Sequence, residues 1–208
     1  MAPRDGVFTI KAQLKGITKP PVWRRIRIVG GASFGQLHEA LQAAFEWEGH
    51  HLHVFQPKRV RFSRPAFQIG PTQDDMISFF CGEHIDEESI RLDSVLPHYP
   101  KTLEYVYDFG DDWVHTLTVE SWEDDELYFD YEIVERRGAA PGEDCGGIYS
   151  FMYKRDLIVQ AKKDGVDLRT VNFEYPETHL DYAVASLGTN FDPKDPYYRP
   201  EWEKLDEK

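Results

Sequence analysis

The chemistry this 208-residue sequence offers lies in three histidines, a knot of carboxylates and one cysteine. The run His50-His51-Leu52-His53-Val54-Phe55 sets His51 and His53 two residues apart, so on a strand their side chains share one face. Neutral imidazole nitrogens at that spacing reach one divalent metal such as zinc. A further ligand would come from elsewhere in the chain, from His115, Asp108, Asp111 or Cys145. A metal held this way would activate a bound water for hydrolysis. The plainer reading makes these ordinary edge or core histidines. Cys145 stands in Glu143-Asp144-Cys145-Gly146-Gly147, ahead of a stretch with helical character. A thiol near the positive end of a helix is activated. No sequential partner marks Cys145 as a nucleophile, so a structural cysteine beside Asp144 is the stronger reading.

The stretch that must position these groups is Leu103 to Glu120. Leu103, Tyr105, Tyr107 and Phe109 alternate with polar or smaller residues, and Trp113, His115, Leu117 and Val119 do the same after Gly110-Asp111-Asp112. Period-two alternation with aromatic and β-branched residues predicts a hairpin, with glycine and aspartates in its turn. The odd-numbered residues form the expected core side. His115 is then a core histidine with a polar partner, and Asp108, Asp111 and Asp112 serve the turn or a site beside it.

Upstream, Phe8, Ile10, Ala12 and Leu14 line one side of a predicted strand. Gly16 to Pro21 reads as a loop. Val22 to Val29 resumes the strand with Val22, Ile26 and Ile28 inward. Arg24 falls on the inward side, where its guanidinium is expected to escape to water at the strand end. The opposite face carries Lys11, Lys15, Trp23, Arg25 and Arg27, a basic face with an aromatic that suits a phosphate backbone or an acidic peptide. It suits equally a solvated sheet face, or one covered by the acidic half of the chain. Ser33 followed by Gln36 has capping-box spacing. The apolar positions from Phe34 to Phe45 predict an amphipathic helix from Ser33 to about Trp47. Ser89 to Leu96 reads as a short strand, 74–85 has no assigned element, and Leu127 to Arg137 alternates as another strand. Helices are expected from about Tyr149 to Lys163 and from about Tyr175 to Leu187. An aromatic, acidic tail follows from Tyr197 to Lys208.

The length fits one large domain or one domain with an appendage. Here a family-like domain over 1–150 carries a helical extension over 151–208. Two cysteines make no disulfide framework. No run approaches the ~18 apolar residues of a membrane span, so a soluble, cytoplasmic protein is expected. The net charge of −13 hides an asymmetry: residues 1–70 carry +7 and the remainder −20. Facing each other, the two parts would partly neutralise.

Several blocks occur together in one order. They are Lys19-Pro20-Pro21-Val22-Trp23-Arg24-Arg25, Phe34-x-x-Leu37-His38 with Gln42-x-x-Phe45-x-Trp47, and His51-Leu52-His53-x-Phe55. Tyr107-Asp108-Phe109-Gly110-Asp111-x-Trp113-x-His115 and Glu143-Asp144-Cys145-Gly146-Gly147 complete the set. In this the chain resembles the plasmid pRiA4b ORF-three-like family over most of residues 7–150, with Phe191-Asp192-Pro193 similar to the family's ending. The resemblance implies a cytoplasmic α+β domain of bacteria and archaea, sometimes encoded beside plasmid or transposon genes and labelled a transposon passenger protein. No established reaction comes with it. Ala140 and Gly142 stand where members often carry a second cysteine and a proline, which weakens any two-thiol chemistry. No serine-resolvase signature is present.

The expected architecture is α+β: a curved, mainly antiparallel sheet covered by one long amphipathic helix, compatible with a β-grasp-like opening, and a helical C-terminal part. The leading functional expectation is a binding or interaction module with a protein or nucleic-acid partner. The alternative is a metal-dependent hydrolase or other metalloprotein built on His51, His53 and His115 with the carboxylates Asp108 and Asp111.

Overall fold

The computed structural model describes residues 6–58, 65–71, 83–98, 102–171, 178–187 and 191–192. The unassigned 74–85 stretch lies mostly outside these, as do Cys81 and the expected tail. Among the described residues, eight strands form one open, mixed sheet in the order β5-β4-β3-β6-β7-β1-β2-β8. They are β1 (Val7–Thr18), β2 (Pro21–Val29), β3 (His53–Pro57), β4 (Gln68–Gly70), β5 (His84–Asp86), β6 (Thr102–Tyr107), β7 (Trp113–Glu123) and β8 (Tyr131–Arg137). Pairing is antiparallel wherever β1, β3, β6 and β7 meet, and β4 and β5 run parallel. The helices are α1 (Phe34–Phe45), α2 (Leu92–Val95), α3 (Gly147–Lys163) and α4 (His179–Leu187). The architecture is α+β.

The chain divides into two compact units, residues 1–15 with 23–135, and residues 16–22 with 136–208. In the first, the register across the sheet sets Phe55 opposite Tyr105, Tyr105 opposite His115, and His115 opposite Leu14. This row and the helix α1 enclose the core. Phe34 meets Phe55 edge to face at 5.1 Å, and Phe45 meets His115 at 4.6 Å. The helix starts where predicted. Ser33 Oγ accepts from the Gln36 amide at 3.0 Å, and Gln36 Oε1 accepts from the Ser33 amide at 2.9 Å, a reciprocal capping box that satisfies two backbone donors.

The structure corrects several expectations. β1 runs on through Gly16 to Thr18, residues expected to lie in the loop. Ser89 to Leu96 is no strand: it holds the short helix α2, and Arg91 makes an isolated bridge to Ser33. β8 begins at Tyr131, so Leu127 to Asp130 belong to the connection from β7. On the second face of the central hairpin Glu104, Val106, Asp108 and Val114 are buried as well, with Val54 beside the two valines. Arg24 does not reach water. It is 3% exposed, donates from Nε to the Ala44 carbonyl at 2.7 Å and lies 4.8 Å over the Phe45 ring. Carbonyls in the last turn of a helix lack intrahelical partners, and a guanidinium supplies one with charge.

In the second unit, α3 buries Phe151, Ile158 and Ala161, and α4 buries Ala183, Val184 and Leu187. Phe151 meets Phe191 edge to face at 6.1 Å.

Candidate functional site

The hairpin turn is built on Asp108. Its residue takes φ +53°, and its Oδ1 accepts from the amides of Gly110 at 2.9 Å and Asp111 at 3.3 Å. Its carbonyl accepts from the Asp112 amide at 2.7 Å. An aspartate tolerates the left-handed region and ties the following amides to itself. That leaves Oδ2, which lies 3.9 Å from His51 Nε2. Asp111 is half-buried in the same turn.

The three histidines expected to share a metal occupy different surroundings. His53 is buried and its Nε2 meets Glu87 Oε2 at 2.7 Å. His115 is fully buried between Phe45, Trp47 and Tyr105. His51 is partly exposed, packed edge to face on Tyr107 at 5.8 Å. Among the described residues, no three ligand atoms of His, Cys, Asp and Glu that include His53 or His115 lie within 4.8 Å of one another. The polar neighbours of the His115 ring are backbone groups of Tyr105 and Trp113. Neither ring nitrogen has a hydrogen bond of normal geometry among the described residues. Burial pushes His115 down to about 3, and backbone groups of Tyr105 and Trp113 oppose this more weakly. Burial in apolar surroundings disfavours the charged imidazolium.

The structure instead assembles a polar cluster under α1. His38 and Gln42 lie four residues apart, so they share a helix face. His38 Nδ1 meets the Tyr105 hydroxyl at 2.8 Å, and Gln42 Nε2 donates to the same hydroxyl at 2.8 Å. The rings of His38 and His53 stack, with centroids 3.5 Å apart and 3° between planes. The cluster therefore runs from Glu87 through His53 and His38 to Tyr105 and Gln42. Burial, then the neighbouring His53, pushes His38 down to about 3. Sequence reasoning listed His38 and Gln42 only as pattern residues and missed Glu87 altogether. The signal available was the helical spacing of His38 and Gln42 on the face that also carries Leu41 and Phe45.

The basic face is largely answered from within the sheet. Arg25 forms a fork with Glu120, at 2.7 and 3.3 Å, and also pairs with Glu135. Arg27 pairs with Glu132 and Asp125. Lys15 meets the buried Glu104 at 2.8 Å, and Lys11 sits 4.7 Å over the Trp23 ring. Hydrogen bonding to Glu120 leads in raising Arg25 above its ordinary value.

In the second unit, Cys145 is a buried cysteine two residues ahead of α3, and its carbonyl accepts from Lys154 Nζ at 3.0 Å. Asp144 beside it is exposed at φ +53°.

An open mixed sheet with a capped helix over its centre defines an α+β protein. The chain belongs to the plasmid pRiA4b ORF-3-like protein family, whose pattern matches residues 6–194. It is 30% identical over 146 residues to the uncharacterized protein y4hQ of Sinorhizobium fredii (strain NBRC 101917 / NGR234), covering 70% of this chain and 69% of that one. The crystal structure of protein of unknown function MM3350 from Methanosarcina mazei Go1 is similar at 27% identity and a TM-score of 0.70, over 95% of this chain and 96% of that one. No described helix is long and apolar enough to cross a membrane.

Proposed function

We propose that the chain is a binding or interaction module of plasmid- or transposon-linked biology, and that its partner is a protein presenting a Lys/Arg-rich segment. The observation that carries this reading is the β7–β8 connection. Tyr128 is 94% and Phe129 73% exposed there, and Trp122 is 54% exposed at the end of β7. Rings held in water are costly to leave uncovered and mark contact surfaces. From Glu120 to Glu135 the sequence has eight carboxylates and no lysine or arginine. Arg25 and Arg27 answer only part of that charge, and Asp125, Glu132 and Glu135 stay about half exposed while paired. Carboxylates around open aromatic faces complement cationic side chains, which stack on the rings and pair at the rim. A nucleic acid would be repelled by the same surface, and at the basic face its phosphates would have to displace existing carboxylates.

The test uses an oligoarginine peptide, with the wild type and the Tyr128→Ser/Phe129→Ser variant, which keeps the charge. The expected result is salt-sensitive binding that weakens about tenfold in the variant. Equal binding by both proteins would reduce the attraction to net charge and remove the site. Duplex DNA bound at low salt, and lost on charge reversal at Arg25 and Arg27, would favour a nucleic-acid partner instead.

A metal-dependent hydrolase is the second reading, favoured by the 3.9 Å approach of His51 to Asp108. Stoichiometric metal in tag-free protein that disappears in a folded His51→Ala variant would bring it forward. A metal-free, folded wild type would remove it.

A further inference from the structure

The strand β8 ends the sheet. It has β2 on one side and, among the described residues, no strand on the other. Successive residues of a strand turn their N–H and C=O groups alternately to its two edges. About half of the backbone groups from Tyr131 to Glu135 therefore address the outer edge. Val134 is 50% exposed there, and the side chains of Glu132 and Glu135 are about half exposed. Arg27 takes Glu132 through Oε1, and Arg25 takes Glu135 through Oε2. Among the described residues, the second oxygen of each carboxylate has no partner.

An open sheet edge binds an extended peptide by taking it up as one more strand, and the side chains along the edge choose which peptide. Directly opposed residues on neighbouring strands come within about 5 Å of each other. A strand added here would thus meet Glu132, Val134 and Glu135. The two carboxylates favour Lys or Arg opposite them, and Val134 gives their methylene stems an apolar contact. A segment dense in like charges repels itself and is already extended, so it loses less freedom on joining a sheet. The edge is also continuous in sequence with the exposed rings. Phe129 and Tyr128 stand just ahead of Tyr131, at most about 11 Å along the chain. A segment laid along β8 comes to them within about three further residues.

We propose that the Lys/Arg-rich segment binds as an added strand along the outer edge of β8, from Tyr131 to Glu135. Its backbone is then recognised as well as its charge. Its cationic side chains take the open oxygens of Glu132 and Glu135, and the end that overhangs the start of β8 stacks on Phe129 and Tyr128. This inference rests on the reading of the chain as a module for a cationic protein segment, and adds to it the conformation in which that segment is held.

The experiment compares octa-arginine with the same peptide N-methylated at its two central residues. The methyl groups remove one N–H from each edge of the peptide and leave every charge in place, so turning the peptide over does not restore the lost donor. Affinity for the full, unaltered chain is read by fluorescence anisotropy at one salt concentration, and amide hydrogen exchange is followed with and without octa-arginine. The expected result is about tenfold weaker binding of the methylated peptide, with octa-arginine slowing exchange at alternate amides between Tyr131 and Glu135. Equal affinity of the two peptides, or no slowing along β8, overturns the added strand and leaves the peptide-binding reading standing on charge and rings. Failure of both peptides to bind removes that reading, and the added strand with it.

Discussion

The most exacting consequence of the core concerns His115→Leu and its dependence on pH. His115 is 0% exposed, and its ring nitrogens have no hydrogen bond of normal geometry among the described residues. Leucine of similar size removes two unsatisfied polar atoms, a gain of about 1–3 kcal/mol. It forfeits the edge contacts to Phe45 and Trp47 at 4.6 and 5.3 Å, a loss of about 1–3 kcal/mol for the two ring pairs together. Near pH 7 the variant should therefore be about as stable as the wild type. The pH dependence is the sharper quantity. Burial lowers His115 from 6.5 to about 3. Between those values the unfolded chain binds a proton that the native state refuses, so native stability falls as pH falls. From pH 7 to pH 5 this one residue removes about 2 kcal/mol from the wild type and nothing from the leucine variant. Urea denaturation at both pH values reads the difference as a diverging midpoint. His38 titrates in both proteins and cancels. Parallel pH profiles for the two proteins would refute the reasoning, because they would mean that native His115 takes up a proton as readily as the unfolded chain does.

Other consequences are simpler to test. Arg24→Met should cost about 2–3 kcal/mol in urea denaturation, since it leaves the Ala44 carbonyl without its donor and the Phe45 ring without its cation. Asp108→Ala should cost about 2 kcal/mol by removing the acceptor of two turn amides, while Asp108→Asn keeps that acceptor and should recover most of it. A similar loss in both variants would point away from the turn and toward the carboxylate's charge. Ser33→Ala should lower stability by about 1 kcal/mol through the α1 cap, seen as a lower melting temperature with unchanged helical content.

The sheet's alternation and the helix cap were legible because each rests on neighbours in sequence. Phe8 to Leu14 and Tyr105 to Leu117 carry their period-two pattern openly, and Ser33 with Gln36 announces a helix start three residues apart. What was hidden depends on contacts far along the chain. Glu87 lies 34 positions from the His53 it binds, and Tyr105 lies 67 from His38. Nothing local marks either pair. Arg24 was misplaced because alternation reports which side a residue faces, and the carbonyl waiting there belongs to a helix 20 positions later. Whether the basic face is covered stayed open in the sequence for the same reason, since the carboxylates that answer Arg25 and Arg27 come from β7, β8 and their connection. Ser89 to Leu96 misled because a four-residue helix is too short for its period to show.

The position of β8 at the border of the sheet bears on how the protein behaves at high concentration. A border strand offers unpaired backbone groups to any other strand, including that of an identical molecule. Here Glu132 and Glu135 stand along that border, half exposed, with Asp125 close by. Two copies approaching side by side would bring these carboxylates against their equals before a single backbone bond formed. The border thus carries its own protection against runaway sheet growth. The same charges that would welcome a cationic partner keep the chain from polymerising on itself, and the protection weakens as acid neutralises them.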